Sequence, residues 1–434
     1  MITNKPLNTI DYDVVVVGGG AAGLATIASL LKRHPDLNIA LVEPSDKHYY
    51  QPGWTLVGGG VFEQSSTVKN MADLIPKCVS WFKNAALDFS PHQNSVFLSD
   101  DTKLSYRSLV VATGLKLDWS AIPGLEDNLG RNGITSNYQP GMAPYTWELV
   151  QKLEHGNAIF TQPPMPIKCA GAPQKAMYLS CDHWLRDKRL QNINVEFCSA
   201  GAALFGVAEY LPALMSYVEK YGITLNLQTN LIAIDADSKT ATFKKTNADS
   251  STEIIEKSFD VLHVTPYQVA PDVIRKSPLA DAAGWIDVYP DTMQHKKYAN
   301  VFALGDCANS PNSKTAAAVR KQAPVVAENL ISMLTDQKLR AVYDGYGSCP
   351  LTVERGKIVL AEFIYGGKID PSFPKWLIDG TKPSSLSWFL KEKMLPPLYW
   401  YAMLKGHEWM ATPIYRDDLP TDRHAKPSCN FDPA

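Results

Sequence analysis

Residues 11–46 read DYDVVVVGGGAAGLATIASLLKRHPDLNIALVEPSD. Val14 to Val17 form an unbroken apolar run, as in a strand buried on both faces. The run meets Gly18-x-Gly20-x-x-Gly23, an alanine- and leucine-rich helix follows, and a second strand, NIALVE, ends on Glu43. Each part suits a bound dinucleotide. Gly18 permits the tight turn, Gly20 lets a pyrophosphate approach the backbone, and Gly23 allows the helix to pack on the sheet. Ala21 and Ala22 offer backbone N–H groups at the helix N-terminus, where unpaired donors and the dipole favour an anion. Glu43 lies where a carboxylate binds a ribose diol. The expected fold class is α/β.

The bulk numbers are those of a multi-domain globular chain. It has 434 residues, 45% of them hydrophobic, and a net charge of −2 from 42 basic and 44 acidic side chains. That balance argues against nucleic acid, which needs a basic field. The opening MITNKPLNTIDYD shows no apolar leader, so no signal peptide is expected, and no apolar run reaches the roughly 20 residues that span a bilayer. Seven dispersed cysteines do not form a disulfide framework, and without a C-x-x-C or H-E-x-x-H pattern no metal site is expected.

Two later stretches extend the pattern. YRSLVVATGLKLDWSAIPG is a strand leading to Thr113-Gly114, and YANVFALGDCAN is a strand ending in Gly305-Asp306. With the first motif, these resemble the two-dinucleotide-domain flavoproteins related to glutathione reductase and type II NADH dehydrogenase. The resemblance implies two Rossmann-like domains, FAD as cofactor, the ATG segment near the dinucleotide, and Asp306 on the ribityl chain. It also implies that the helix in SKTAAAVRKQAPVVAENLISML starts near Thr315 and points at the pyrimidine side of the flavin. Lys314 would then stabilise negative charge there, although the same residues read equally as an amphipathic helix with a solvated lysine. Gln51 matches a glutamine that contacts the flavin region, and Ala86 falls where relatives hold the adenine through the main chain.

The second α/β unit departs from that pattern. After the strand NAIFT, a nicotinamide-binding turn would be glycine-rich, but residues 163–173 read PPMPIKCAGAP. Prolines remove the N–H donors that a phosphate needs, so the nicotinamide site is expected to be lost. The expected division is 1–125 and 266–345 for the FAD-binding domain, 140–265 for the second Rossmann-like domain, and 346–434 for a C-terminal quinone and membrane-association region.

Further segments, KCAGAPQKAMYLS, HVTPYQVAPDVI, DAAGWIDV, GDCANSPNSKTAAAV and YDGYGSCPL, resemble the sulfide:quinone oxidoreductases, in the form shared by mitochondria and some bacteria. That resemblance implies that Cys169 and Cys349 flank the flavin as a redox-active disulfide, sometimes with a bridging sulfur. Hydrogen sulfide would attack the pair to leave a persulfide, and two electrons would pass through FAD to ubiquinone or menaquinone. The sulfane sulfur would go to a small acceptor such as sulfite, glutathione, cyanide or a second sulfide. Lys168 is expected to lower the Cys169 pKa. Cys78, Cys181 and Cys198 read as core residues, Cys307 as packing beneath the FAD, and Cys429 as incidental. The segment 384–415, SSLSWFLKEKMLPPLYWYAMLKGHEWMATPIY, mixes aromatic residues with lysines, and its double proline suggests two short helices lying in one leaflet. Burial against the body or against a homodimer partner stays open. Phe363, Tyr365 and Phe389 are the expected quinone-ring contacts. A peripheral protein, of a bacterial inner membrane rather than a mitochondrial one, is the expected location. The competing functions are a type II NADH:quinone dehydrogenase and a non-catalytic flavin-binding redox sensor.

Overall fold

The structure is a computed structural model that describes residues 9–418. Here β1 (Thr9–Val17), α1 (Ala21–Arg33) and β2 (Ile39–Val42) form a parallel crossover in which Val14–Val17 pair with Ile39–Val42. Val14, Val15 and Val16 are fully buried. Sterics enforce the glycine spacing. A Cβ on Gly23 would fall 1.8 Å from the Gly18 carbonyl oxygen, and Gly18 itself sits at φ +105°.

The first sheet runs parallel through Ser80–Phe82, β2, β1, Lys103–Val111 and Val301–Ala303. An antiparallel pair, Ala86–Ser90 and Ser95–Leu98, extends it beside Lys103–Val111. Its last parallel strand thus returns about 190 residues after the strand it joins. A second sheet lies between them in sequence. It comprises five parallel strands, in the order Ile134–Thr135, Val261–His263, Gly156–Gln162, Ile193–Ser199 and Thr224–Asn226. Three antiparallel strands within residues 229–258 pack beside it.

Three elements carry the site. α2 (Ala172–Arg186) follows the proline-rich turn, and α3 (Ala316–Leu334) begins where the Thr315 hydroxyl accepts the Ala318 N–H. β3 (Gly347–Glu354) and β4 (Lys357–Phe363) make an antiparallel hairpin with two distinct faces. Cys349, Leu351, Val353, Val359 and Ala361 belong to the core packed against α2, whereas Ser348, Pro350, Leu360 and Glu362 line a cleft. This is the period-two alternation of a strand pair with different surroundings on each side.

The C-terminal segment differs from expectation. Ser385–Lys405 is one continuous helical run, not two helices, because five-residue π turns at Leu390–Met394 and Leu398–Ala402 flank Pro396 and Pro397. Wider turns of this kind make room for the proline ring and for the carbonyl that loses its usual N–H partner. Trp388, Tyr399, Trp400, Met403 and Leu404 are buried, while Phe389 and Tyr401 are exposed. The run is clasped to α1 through Glu408, whose carboxylate accepts from Ser29, Lys32 and Arg33. Among the described residues no helix is long and apolar enough to cross a membrane.

Candidate active site

A cleft of about 520 Å³ runs between the first sheet, the turn before α2, the hairpin and the C-terminal run. Of the expected cofactor contacts, Gly18, Gly20, Ala21, Ala22, Glu43, Gln51, Thr113, Gly114, Gly305, Asp306, Lys314 and Thr315 line it. Gly23 lies behind, packed on Gly18. Ala86 sits on the antiparallel extension and is not among the lining residues.

The cleft fits FAD on several counts. Gly20 caps α1, whose first turn carries no acidic residue, and a Cβ there would meet nothing within 4 Å. Open backbone at a helix N-terminus suits a pyrophosphate. Glu43 is held in place by the N–H groups of Gly19 and Ser45, at 2.7 and 2.8 Å. The Asn137 side chain lines the cleft, is only 5% exposed, and has neither amide atom hydrogen-bonded among the described residues. Such orphaned buried groups are costly unless a ligand satisfies them.

Cys169 lines one side of this cleft, and Cys349 is buried behind it on the core face of the hairpin. Cys169 Sγ and Cys349 Sγ are 3.7 Å apart, and both are free thiols. Cys169 adopts φ +50°. Its N–H donates to the Lys314 carbonyl at 2.9 Å, and its carbonyl accepts the Ala172 N–H at 2.7 Å. Those bonds tie the turn before α2 to the start of α3 and hold a left-handed residue that would otherwise relax. Gly171 makes the approach of the second sulfur possible, since a Cβ there would lie 2.6 Å from Cys349 Sγ and 2.3 Å from Leu351 Cδ2.

The cation beside the sulfurs is not the expected one. Lys168 donates to Gln51 Oε1 at 2.7 Å, and burial lowers its pKa to about 8. Lys175, in the first two turns of α2 and 3% exposed, places Nζ 3.2 Å from Cys169 Sγ. The hydrogen bond from Cys349 and the Lys175 charge together hold the Cys169 pKa well below the usual thiol range, against the effect of burial. The Cys349 thiol is pushed well up by its hydrogen bond to Cys169 and by burial. Cys169 is thus the more readily ionised of the pair. Lys391, from the C-terminal run, is also buried close by; it donates to the Pro52 carbonyl at 2.9 Å, and desolvation lowers its pKa to about 7.

Other expectations need correction. Lys314 lines the cleft but also donates to the carbonyls of Asp306 and Ala308, both at 2.8 Å, and its Nζ lies over the Trp285 ring, so it is not a solvated lysine. Phe363 packs edge-on against Phe205, the Tyr365 hydroxyl bonds the Pro290 carbonyl, and Phe389 is 51% exposed; none of the three lines the cleft. Its apolar lining near the hairpin comes instead from Leu360, Phe373, Leu390 and Met403. Cys78 is exposed, in a turn, and not a core residue. Cys181 and Cys198 are buried, and Cys307 is buried with its thiol on the Val111 carbonyl. Cys429 lies outside the described residues.

A parallel-sheet dinucleotide cradle opposite two adjacent thiols defines a flavin-dependent disulfide-type oxidoreductase, and residues 12–323 match the pyridine nucleotide-disulphide oxidoreductase family. The mitochondrial sulfide:quinone oxidoreductase of Dictyostelium discoideum is 44% identical over 91% of this chain and 86% of its own. That of Mus musculus is 39% identical over 91% and 87%. The chain belongs to the sulfide:quinone oxidoreductase family, an FAD-dependent family of oxidoreductases. The crystal structure of the Aquifex aeolicus sulfide:quinone oxidoreductase shares the fold, with a TM-score of 0.72 at 18% identity over 89% of this chain and 91% of that one. Both eukaryotic relatives are named as mitochondrial, so they lend no support to a bacterial over a mitochondrial membrane.

Proposed function

We propose that this protein oxidises hydrogen sulfide at Cys169 and Cys349 and passes two electrons to a membrane quinone, with a small nucleophile taking the sulfane sulfur. The observation that carries this reading is the pair of thiols 3.7 Å apart, of which Cys169 lines the cleft and has an ammonium 3.2 Å away. The separation exceeds the roughly 2.05 Å of a direct S–S bond.

FAD bound in the cleft supplies the two-electron relay between donor and acceptor. The protein's own residues decide the direction of sulfur chemistry. In thiol–disulfide exchange the sulfur of lower pKa leaves faster. Hydrosulfide therefore attacks Cys349, its sulfur bonds to Cys349 as a persulfide, and Cys169 departs with the electron pair as a thiolate beside Lys175. The acceptor then takes the outer sulfur and leaves Cys349 as a second thiolate; FAD held by the cleft residues would take up the electron pair that is released when the Cys169–Cys349 link re-forms.

The same reading keeps 1–125 and 266–345 as the FAD-binding part, 140–265 as a Rossmann-like domain without a nicotinamide site, and 346–434 as the quinone and membrane-association region. In place of an open glycine turn, the segment before α2 carries the reactive thiol and is pinned to α3. Exposed Trp376, Leu377, Phe389 and Tyr401, among lysines 375, 382 and 393, suit a headgroup layer. The test is Cys169→Ser and Cys349→Ser. Each is expected to bind FAD normally and to lose sulfide-dependent decylubiquinone reduction; turnover near wild type in either variant refutes the proposal.

A further inference from the structure

Turning a quinone into a quinol consumes two electrons and two protons, and the cleft where the ring would sit is largely apolar. We propose that Glu362, Tyr346 and Ser372 form a proton relay from solvent to that cleft, an inference that rests on a quinone being the acceptor. Glu362 projects from the cleft face of β4 and is only 4% exposed. A carboxyl this buried usually sits on a cation. Here its hydrogen-bond partners are neutral: Oε1 accepts the Tyr346 hydroxyl at 2.5 Å, and Oε2 accepts the Ser372 N–H at 3.1 Å. The Tyr346 hydroxyl also lies 3.0 Å from Ser372 Oγ. The nearby Arg320 turns its guanidinium to the Trp409 and Met410 carbonyls.

The outer end of this chain is open. A second pocket of about 390 Å³ is lined by Lys321, Asp344 and Asp370, and it shares Tyr346, Ser372 and Met410 with the main cleft. Tyr346 and Ser372 are therefore the wall between a polar hollow and a largely apolar slot, and Glu362 is the carboxyl on the inner side. In the step assigned here, Tyr346 gives its hydroxyl proton to Glu362, and the carboxyl so formed passes a proton to a quinone oxygen, one O–H bond breaking as the next forms. Tyr346 takes a proton from Ser372 Oγ, and Ser372 takes one from solvent in the outer pocket. The electron pair and the second proton would be supplied by the reduced FAD held in the cleft.

The test uses the full-length, FAD-loaded protein, reduced anaerobically and mixed in stopped flow with decylubiquinone or with ferricyanide, which accepts electrons without protons. Glu362→Gln and Tyr346→Phe are each expected to slow reoxidation by the quinone about a hundredfold, with ferricyanide within twofold of wild type. Formate, a small weak acid, is expected to restore part of the Glu362→Gln rate. Wild-type quinone rates in both variants, or equal slowing with both oxidants, overturn the relay. If Glu362→Gln does not retain FAD, Tyr346→Phe decides alone. Failure of the unmodified protein to react with decylubiquinone would instead remove the acceptor reading, and the relay with it.

Discussion

Replacing Gly171 by alanine is a direct probe of the sulfur geometry. Gly171 has φ −86° and ψ −5°, a conformation that alanine adopts freely, so backbone strain does not enter. What changes is space. The new methyl would stand 2.6 Å from Cys349 Sγ and 2.3 Å from Leu351 Cδ2, whereas non-bonded heavy atoms rest about 3.5–4.0 Å apart. The sulfur must therefore retreat by about 1 Å, and the direction away from Gly171 is fixed by the packed core of β3 and α2. Overpacking of this kind costs about 1–3 kcal/mol, so the fold is expected to survive with a lowered melting temperature. A displacement of about 1 Å at a reacting group costs about a hundredfold in rate. The assay is flavin bleaching by sulfide in stopped flow, with FAD content and melting temperature measured on the same sample. Gly206→Ala, where a Cβ meets nothing within 4 Å, is the control. Bleaching by Gly171→Ala within threefold of wild type would show that the thiol separation does not govern the step.

Removing the Lys175 ammonium by Lys175→Met leaves the Cys349 hydrogen bond but takes away the cation, so the Cys169 pKa rises. Iodoacetamide trapping of the reduced enzyme should then require a pH higher by about one unit or more for half-maximal rate, and an unchanged profile would assign the activation elsewhere. Burial would raise the Glu408 pKa, but bonds from Arg33, Ser29 and Lys32 outweigh it and hold the folded value below the ordinary one. The stability this contributes is present above the ordinary glutamate pKa and is lost as pH falls through the lower folded value. Glu408→Gln should cost about 2 kcal/mol at neutral pH and flatten the acid limb of melting temperature against pH; a curve parallel to wild type would refute the clasp.

Much of the architecture was legible because local chemistry and global fold agree. The valine run, the three glycines and Glu43 each admit one role, and the strand at Gly156–Gln162 and helix Leu211–Tyr221 follow from apolar pattern alone. The cysteine pairing came from resemblance, since no pattern links positions 180 apart. Lys168 was chosen for adjacency, yet its side chain runs the other way to Gln51. Lys175 was the better candidate on helix geometry: four residues past the Gly171 cap, it lies one turn into α2, and its long stem can fold back to Cys169, two residues before the cap. The double proline misled in the C-terminal run because π turns carry the backbone past it. The quinone contacts were drawn to the aromatic side chains, but burial against the second core took Phe363 away.

The interruption of the first sheet has a consequence for biogenesis. Val301–Ala303 docks on Leu109–Val111, so the cofactor cradle stays short of its last parallel strand until some 300 residues have left the ribosome. The five-stranded sheet, by contrast, uses only strands between Ile134 and His263 and has every partner earlier. Domains tend to fold as units during synthesis, and non-local pairing is slow. The inserted half is therefore born first, and the nucleotide half must wait, edge open, for the chain to come back to it.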